Sequence, residues 1–382
     1  MIHVAVTWAG NSLALNGAAL YVNRFLQHKE DYLKNNIEIR ICDGVHTFTD
    51  ARLYEKSEEF SRKKKIKKFL LKTYLGNIIA LYFSQIKHAK EAFFYNYDYI
   101  KNCDVVIAND FFSAFYIQKR FKTKKIIYVM HNNGDILHMH FITYPKLRFF
   151  ITARYLKRIT KKVLIQAKKI VFVSDIARIE FNKKNLFLSE KTVFIPQCID
   201  DTFCLSNIDF TRLNLICVGT ISERKNQLSI IKAVENFDET KVTLSLIGGG
   251  PELENCKEYV ETKKIKNVNF LGPQNNVVDF LNKANCFILA SLDEGLPTVA
   301  IEAIRAGLPL ILTNVGGCRE LINNNGILLN NGTVEEIKNG INYMLNNISN
   351  IPEMSEISRQ LFLKKYKIEN LINKYTDLIR DC

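Results

Sequence analysis

The sequence predicts an α/β protein of two doubly wound domains in tandem, each a parallel sheet covered by helices on both faces. Three observations carry this expectation. The chain has 382 residues, 47% of them apolar, and at ~100–200 residues per domain that supports two separate cores. Short apolar runs alternate with helix-length segments along the chain, the pattern of strands buried between helical layers. The two halves also open alike. Residues 2–7 lead through a loop with Gly10 and Gly17 to a helix beginning near Ala18, and residues 213–218 lead through Gly219 to a helix after Lys225.

In the first half, residues 2–7, 37–42, 105–108, 126–130 and 170–174 read as buried strands. In the second half the strands fall at residues 213–218, 242–247, 268–271, 286–289 and 310–312. The boundary is placed near the segment PQCIDDTF, residues 196–203. This divides the chain into a first domain of residues 1–200, a second of 201–362 and a last helix within 363–382. Open parallel sheets bind ligands beyond the carboxyl ends of their strands, so two facing domains would place a site in the cleft between them.

Composition excludes several classes. The apolar content, 17 Gly and 7 Pro rule out a disordered or collagen-like chain. Nine cysteines without a Cys-x-x-Cys pair point to reduced thiols packed as small hydrophobes in the cytoplasm, with no structural zinc. The opening MIHVAVTWAGNSLALNG lacks a secretory leader, and no run reaches the ~18 apolar residues of a membrane span.

The net charge of +14 is unevenly held. Residues 1–200 carry 34 Lys and Arg against 17 Asp and Glu, whereas the remainder carries 19 against 22. Residues 61–72, SRKKKIKKFLLK, hold seven cations and precede TYLGNIIALYF, and residues 145–169 form a second basic amphipathic stretch. Such stretches suit an anionic membrane surface, so attachment to the inner face of the cytoplasmic membrane is an expectation. A solvated helix face and AT-rich coding bias explain the same charge.

Small or polar residues follow most second-half strands: Gly219-Thr220, Gly248-Gly249-Gly250-Pro251, Gly272-Pro273-Gln274, Ser291 and Thr313-Asn314. Glycine admits close backbone approach, and amides at helix starts attract phosphate. The densest segment is residues 287–321. There a turn carrying Asp293, Glu294 and Gly295 precedes Pro297 at a first helical position, which leaves the amides of Thr298 and Val299 open to an anion. Glu302, eight residues beyond Glu294, would contact a different part of one elongated ligand. In the first half, His131 ends a strand before Asn132-Asn133-Gly134-Asp135.

The motif Ser-x-x-Glu-Gly-Leu-Pro from Ser291, followed by Glu302, Gly307-x-Pro309, Gly316-Gly317 and Glu320, resembles the donor-binding segment of glycosyltransferase family 4, whose fold is GT-B. LICVGTISERKNQLSIIKAV, LIGGGPE and VNFLGPQNNVVDFLNKANCFILAS extend the likeness through the second half. In the first half it is thinner, resting on VFVSDIARIEF, VFIPQCIDDTF and YVMHNNGD.

The resemblance implies roles residue by residue. Glu302 would accept hydrogen bonds from ribose hydroxyls, Glu294 would contact the donor sugar, and the amides of Leu296, Thr298 and Val299 would face sugar and diphosphate, with Pro297 in the same loop. Lys225, helped by Arg224, would neutralise the departing phosphate. The family's Arg directly after Gly219 is replaced by Thr220, and the first glycine of its first-domain loop is replaced by Asn16 ahead of Gly17. His131 would lie near the donor sugar. The base would lie among residues 248–251 and 271–274, with Gly249, Pro251, Gly272, Pro273 and Gln274. The implied catalytic set is therefore His131, Glu294, Lys225 and Arg224, with neither metal nor other cofactor.

The implied activity is retaining transfer of a hexosyl unit from a nucleoside diphosphate sugar to a glycan or lipid-linked acceptor, in cell-surface polysaccharide biosynthesis. Front-face attack with the leaving phosphate as base would explain why no nucleophile stands beside Glu294. Two alternatives remain at this stage. One is a sugar-nucleotide epimerase of the same fold. The other is a non-catalytic protein binding an anionic surface or nucleic acid, although no nucleic-acid recognition module is visible.

Overall fold

The computed structural model describes residues 1–9, 17–43, 72–149, 151–203 and 211–382. Gly10, Asn16, Phe150 and the basic run 61–71 lie outside the described residues. The chain forms two compact units. The first comprises Met1–Val173, Ala177–Ile195 and Ile372–Cys382, and the second comprises Ser174–Ile176 and Pro196–Leu371.

The first unit is built on six strands: β1 (Ile2–Trp8), β2 (Ile37–Asp43), β3 (Val105–Ala108), β4 (Lys125–Met130), β5 (Lys169–Phe172) and β6 (Thr192–Phe194). All neighbours are parallel, in the order β2-β1-β3-β4-β5-β6. Val4 pairs with Ile39 on one side and Val105 on the other. Val4 is inaccessible to water and Val105 nearly so, because central strands of a parallel sheet are covered on both faces. The helix Ile368–Arg380 begins in the second unit and ends in the first. Within the first unit its Tyr375 hydroxyl lies 2.7 Å from that of Tyr21, and its ring meets Phe25 edge-on at 4.9 Å.

The second unit repeats the architecture with β7 (Leu213–Val218), β8 (Val242–Ile247), β9 (Val268–Gly272), β10 (Cys286–Leu289), β11 (Leu310–Thr313) and β12 (Gly326–Leu329). Its order is β12-β11-β10-β7-β8-β9, again all parallel. Ten strands fall where the sequence predicts them, to within a residue or two. The two it does not predict, β6 and β12, close one edge of each sheet. Both are short and mostly half-buried, with apolar runs of two (VF) and three (ILL) residues.

Strand order locates the candidate sites. In each sheet the chain first winds outward in one direction and then returns to build in the other, which opens a crevice where adjacent strands send their connections to opposite faces. That switch point lies between β1 and β3 in the first unit and between β7 and β10 in the second.

Candidate active site

At the second unit's switch point, β7 ends at Val218 and the chain turns through Gly219 and Thr220 into the single turn Glu223–Lys225. Ser222 caps that turn, its hydroxyl accepting the Lys225 amide. Asn226 follows in the left-handed conformation, at φ 60°. Its side-chain amide donates to the carbonyls of Ala290 (3.1 Å) and Gly332 (2.8 Å), which ties the β7 loop to the loops after β10 and β12. Gln227 braces the β7 loop internally, accepting from the Ser222 amide and donating to the Thr220 carbonyl.

These contacts place Lys225 opposite Glu294. Lys225 Nζ lies 2.6 Å from Glu294 Oε1, and Arg224 stands 3.5 Å from Oε2 while donating to the Asp293 carbonyl at 2.6 Å. The Lys225 and Glu294 side chains are 11% and 8% exposed, whereas that of Arg224 is 40% exposed. A buried carboxylate is retained only with such partners. Beneath the pair, burial pushes the Cys217 thiol up to about 12, and it does the same to Cys318. Neither thiol is a nucleophile at neutral pH.

The β10 loop leads through Leu296 to the helix Thr298–Arg305. Pro297 is extended, with φ −71° and ψ 110°, and occupies the cap position rather than the first helical position that its residue type suggested. The Ala300 amide bonds back to the Pro297 carbonyl at 3.0 Å. The amides of Thr298 and Val299 precede that ladder, so their N–H groups belong to the positive end of the helix. The Thr298 side chain is anchored on Gln197 at 2.5 Å. Glu302 lies about one turn further along, half-buried on the same helix.

The glycine turns divide into two kinds. A methyl group on Gly248 would stand 2.0 Å from the Gly219 carbonyl oxygen, and one on Gly250 would stand 2.2 Å from that of Ile221. These two glycines let the β8 turn press against the β7 turn. Gly249 instead neighbours Pro273, with 3.4 Å from an added methyl to Cγ. Pro251 is exposed beyond that turn. Gly272, at φ 66°, has open space where a side chain would be, and Gln274 donates to the Leu271 carbonyl at 2.6 Å.

The structure thus brings Arg224, Lys225 and Glu294 together, with Gly219 alongside, and stacks the turns of Gly249 and Pro273. Gly17 and His131 belong to the first unit. Gly17 opens the helix Gly17–Gln27. His131 follows β4, and its Nε2 lies 3.0 Å from Asn109 Oδ1, just past β3. The Asn109 amide nitrogen faces the Thr7 carbonyl at 3.4 Å. Asn109 Oδ1 therefore accepts, and Nε2 of His131 carries the proton. Nδ1 is left as an acceptor, buried and without a hydrogen-bond partner among the described residues. Tyr21 meets the imidazole edge-on at 4.9 Å. Burial, and then the nearby Arg24 charge, lower the His131 pKa to about 4, so the ring is neutral.

Sequence reasoning missed Asn109, Asn226, Gln227 and Gln197. The first two follow or face strand ends at a switch point, which is the signal that marks them. Asp110, adjacent to Asn109, caps the helix Phe111–Arg120 through the Ser113 amide at 2.8 Å and accepts the Ala9 amide at 2.9 Å.

Two parallel six-stranded sheets in this strand order give the fold class, GT-B. Residues 206–360 match the family model described as glycosyl transferases group 1. The O-antigen biosynthesis glycosyltransferase WbnH of Escherichia coli is 28% identical over 262 residues, covering 67% of this chain and 69% of that one. The UDP-Gal:alpha-D-GlcNAc-diphosphoundecaprenol alpha-1,3-galactosyltransferase of Escherichia coli is 28% identical over 173 residues, 43% of this chain and 44% of that one. Among solved structures, Anabaena HepE in complex with UDP matches with a TM-score of 0.68 at 14% identity, covering 100% of both chains.

Proposed function

We propose that the protein transfers a hexosyl unit from a nucleoside diphosphate sugar to a hydroxyl of a glycan or lipid-linked acceptor, with retention at the anomeric carbon, in cell-surface polysaccharide biosynthesis. The buried Lys225–Glu294 pair beside the Thr298 and Val299 amides carries this reading. A diphosphate against those amides is held by the helix end. Lys225 and Arg224 then offset the charge that develops on the leaving phosphate, the task a divalent metal performs in other phosphate sites. Glu294 is assigned to hydroxyls of the donor sugar and Glu302 to the ribose, both as acceptors. His131, neutral with Nδ1 as acceptor, is assigned to a further sugar hydroxyl. Retention follows when the acceptor oxygen attacks from the face the diphosphate leaves. Its proton passes to the departing phosphate oxygen, so no protein nucleophile is required.

The UDP complex of HepE and the UDP-Gal named in the galactosyltransferase make uridine diphosphate the first nucleotide to test. The diphosphoundecaprenol in that same name favours a lipid-diphosphate-linked acceptor. A thermal-shift screen of UDP, GDP and ADP should show stabilisation by UDP. Labelled UDP-hexose should then yield a product with such an acceptor, and Glu302→Ala should abolish it. The reading fails if none of the three raises the melting temperature, or if the donor is epimerised without acceptor. A product with inverted anomeric configuration refutes retention.

A further inference from the structure

We propose that Glu320 is a positioning residue for the reaction, holding in place the loop that presents Glu294. The sequence motif ends on Gly316-Gly317 and Glu320, to which the transfer chemistry gives no task. These residues form the turn Gly316–Leu321 in the second unit. The half-buried Glu320 carboxylate gathers three donors from residues 144 to 146 positions earlier in the chain. The Ser174 hydroxyl donates to Oε1 at 2.5 Å, the Ile176 amide to the same oxygen at 2.9 Å, and the Asp175 amide to Oε2 at 3.1 Å. Residues 174–176 also belong to the second unit, and they lead into the helix Asp175–Lys184. The N–H groups of a helix start carry positive partial charge, so a carboxylate bonded to them is held more firmly than by neutral contacts.

That clamp reaches Glu294 through Gly317. The Gly317 amide donates to the Gly295 carbonyl at 2.6 Å. A methyl group on Gly317 would stand 2.8 Å from that carbonyl oxygen, 2.9 Å from Leu296 Cδ1 and 3.2 Å from Ser174 Oγ. Gly317 is therefore wedged between the Glu294 loop and the hydroxyl that Glu320 holds. On the other side of Glu294, Arg224 donates to the Asp293 carbonyl at 2.6 Å. The backbone is thus held before and after Glu294, each time by one hydrogen bond from a different element. The second bond matters because Gly295 is conformationally permissive, and without it the loop is free to turn its carboxylate away from a bound sugar. The consequence for the reaction rests on the assignment of Glu294 to the donor sugar. A misplaced contact there penalises the reacting geometry more than the binding of the nucleotide. Ribose and diphosphate are assigned to Glu302 and the amides of Thr298 and Val299, on the helix that follows the loop.

The test is hydrogen exchange of the full chain, read by mass spectrometry on the segment containing Gly317, together with donor kinetics. In Glu320→Gln the Gly317 amide should exchange about ten-fold faster than in wild type. With UDP-hexose as donor kcat should fall about ten-fold, while the affinity for UDP alone, from calorimetry, stays unchanged. Ser174→Ala leaves both amides on Glu320 and should move exchange and kcat the same way, by about three-fold. If Glu320→Gln does not fold, Ser174→Ala decides on the same readings. Asp238→Ala removes a carboxylate that accepts the Thr240 amide and hydroxyl before β8, at the end of that strand away from the site. It should leave all three readings at wild-type values. A merely structural role for Glu320 would speed exchange throughout the second unit and weaken UDP as much as it lowers kcat, and either result overturns the proposal. Unchanged Gly317 exchange, or an unchanged kcat, overturns it as well. Exchange is read without donor, so a wild type that turns over no UDP-hexose refutes the transfer reading and leaves the exchange result to decide what Glu320 holds.

Discussion

Removing one partner of the Lys225–Glu294 pair should cost stability well beyond a lost contact. Both side chains are nearly buried and 2.6 Å apart, and stripping one charge from such a pair leaves the other uncompensated, at roughly 3–5 kcal/mol. Arg224 remains 3.5 Å from Glu294 and is partly solvated, so Lys225→Met should fall at the lower end, ~3 kcal/mol. In a unit of this size 1 kcal/mol moves the melting temperature by about 2–4 °C, so the second unit's transition should drop by roughly 6–12 °C. Glu294→Gln should act comparably, since it leaves the ammonium buried. Adding the second substitution to the first should cost little more, giving a coupling energy approaching ~3 kcal/mol. Differential scanning calorimetry of wild type, both single variants and the double variant closes the cycle. Additive effects, or single variants melting within ~1 °C of wild type, would refute the view that the pair is a buried, mutually dependent unit.

Three other perturbations test the rest of the frame. His131 has an ordinary value of 6.5 that folding lowers to about 4. Between those values the unfolded chain binds the proton that the folded one refuses, so stability falls as pH drops through this window, by up to ~3 kcal/mol. Urea midpoints from neutral to acidic pH should therefore decline less steeply in His131→Gln than in wild type. Gly248→Ala and Gly219→Ala both put alanine at a positive φ, 137° and 144°, but the first also places a methyl 2.0 Å from a backbone oxygen whereas the second meets only Lys225 at 3.7 Å. Far-ultraviolet melting should show the former as severely destabilised and the latter as milder. Arg359 makes paired bonds to Asp201 and lies 4.4 Å from the Phe203 ring centroid. Arg359→Lys loses the planar fork and should lower the chemical-denaturation midpoint by the equivalent of ~1–2 kcal/mol.

The sheets were legible because a central parallel strand must be apolar on both faces, and residues 105–108 (VVIA) and 286–289 (CFIL) can be little else. β6 and β12 are only three and four residues long and mostly half-buried, which leaves little sequence to read. At the site, Arg224, Lys225 and Glu294 stood out by charge and by resemblance, but their mutual contact did not, because 69 residues separate Lys225 from Glu294. Asn226 and Gln227 work through ordinary amides satisfying backbone groups, a role that residue type alone does not announce. Gly248 and Gly250 suggested ligand approach. The structure gives them a different reason, the apposition of two turns.

The last helix has a consequence for how the protein is made. The first unit's aromatic cluster of Tyr21, Phe25 and Tyr32 is completed by Tyr375, yet the whole second unit is translated between them. At roughly 5–20 residues per second, the first unit waits on the order of ten to thirty seconds for its closing segment. Through that interval the ring faces meant for Tyr375 stay uncovered, whereas the second unit can already bury its sheet. Synthesis therefore finishes first the half of the molecule that was begun last.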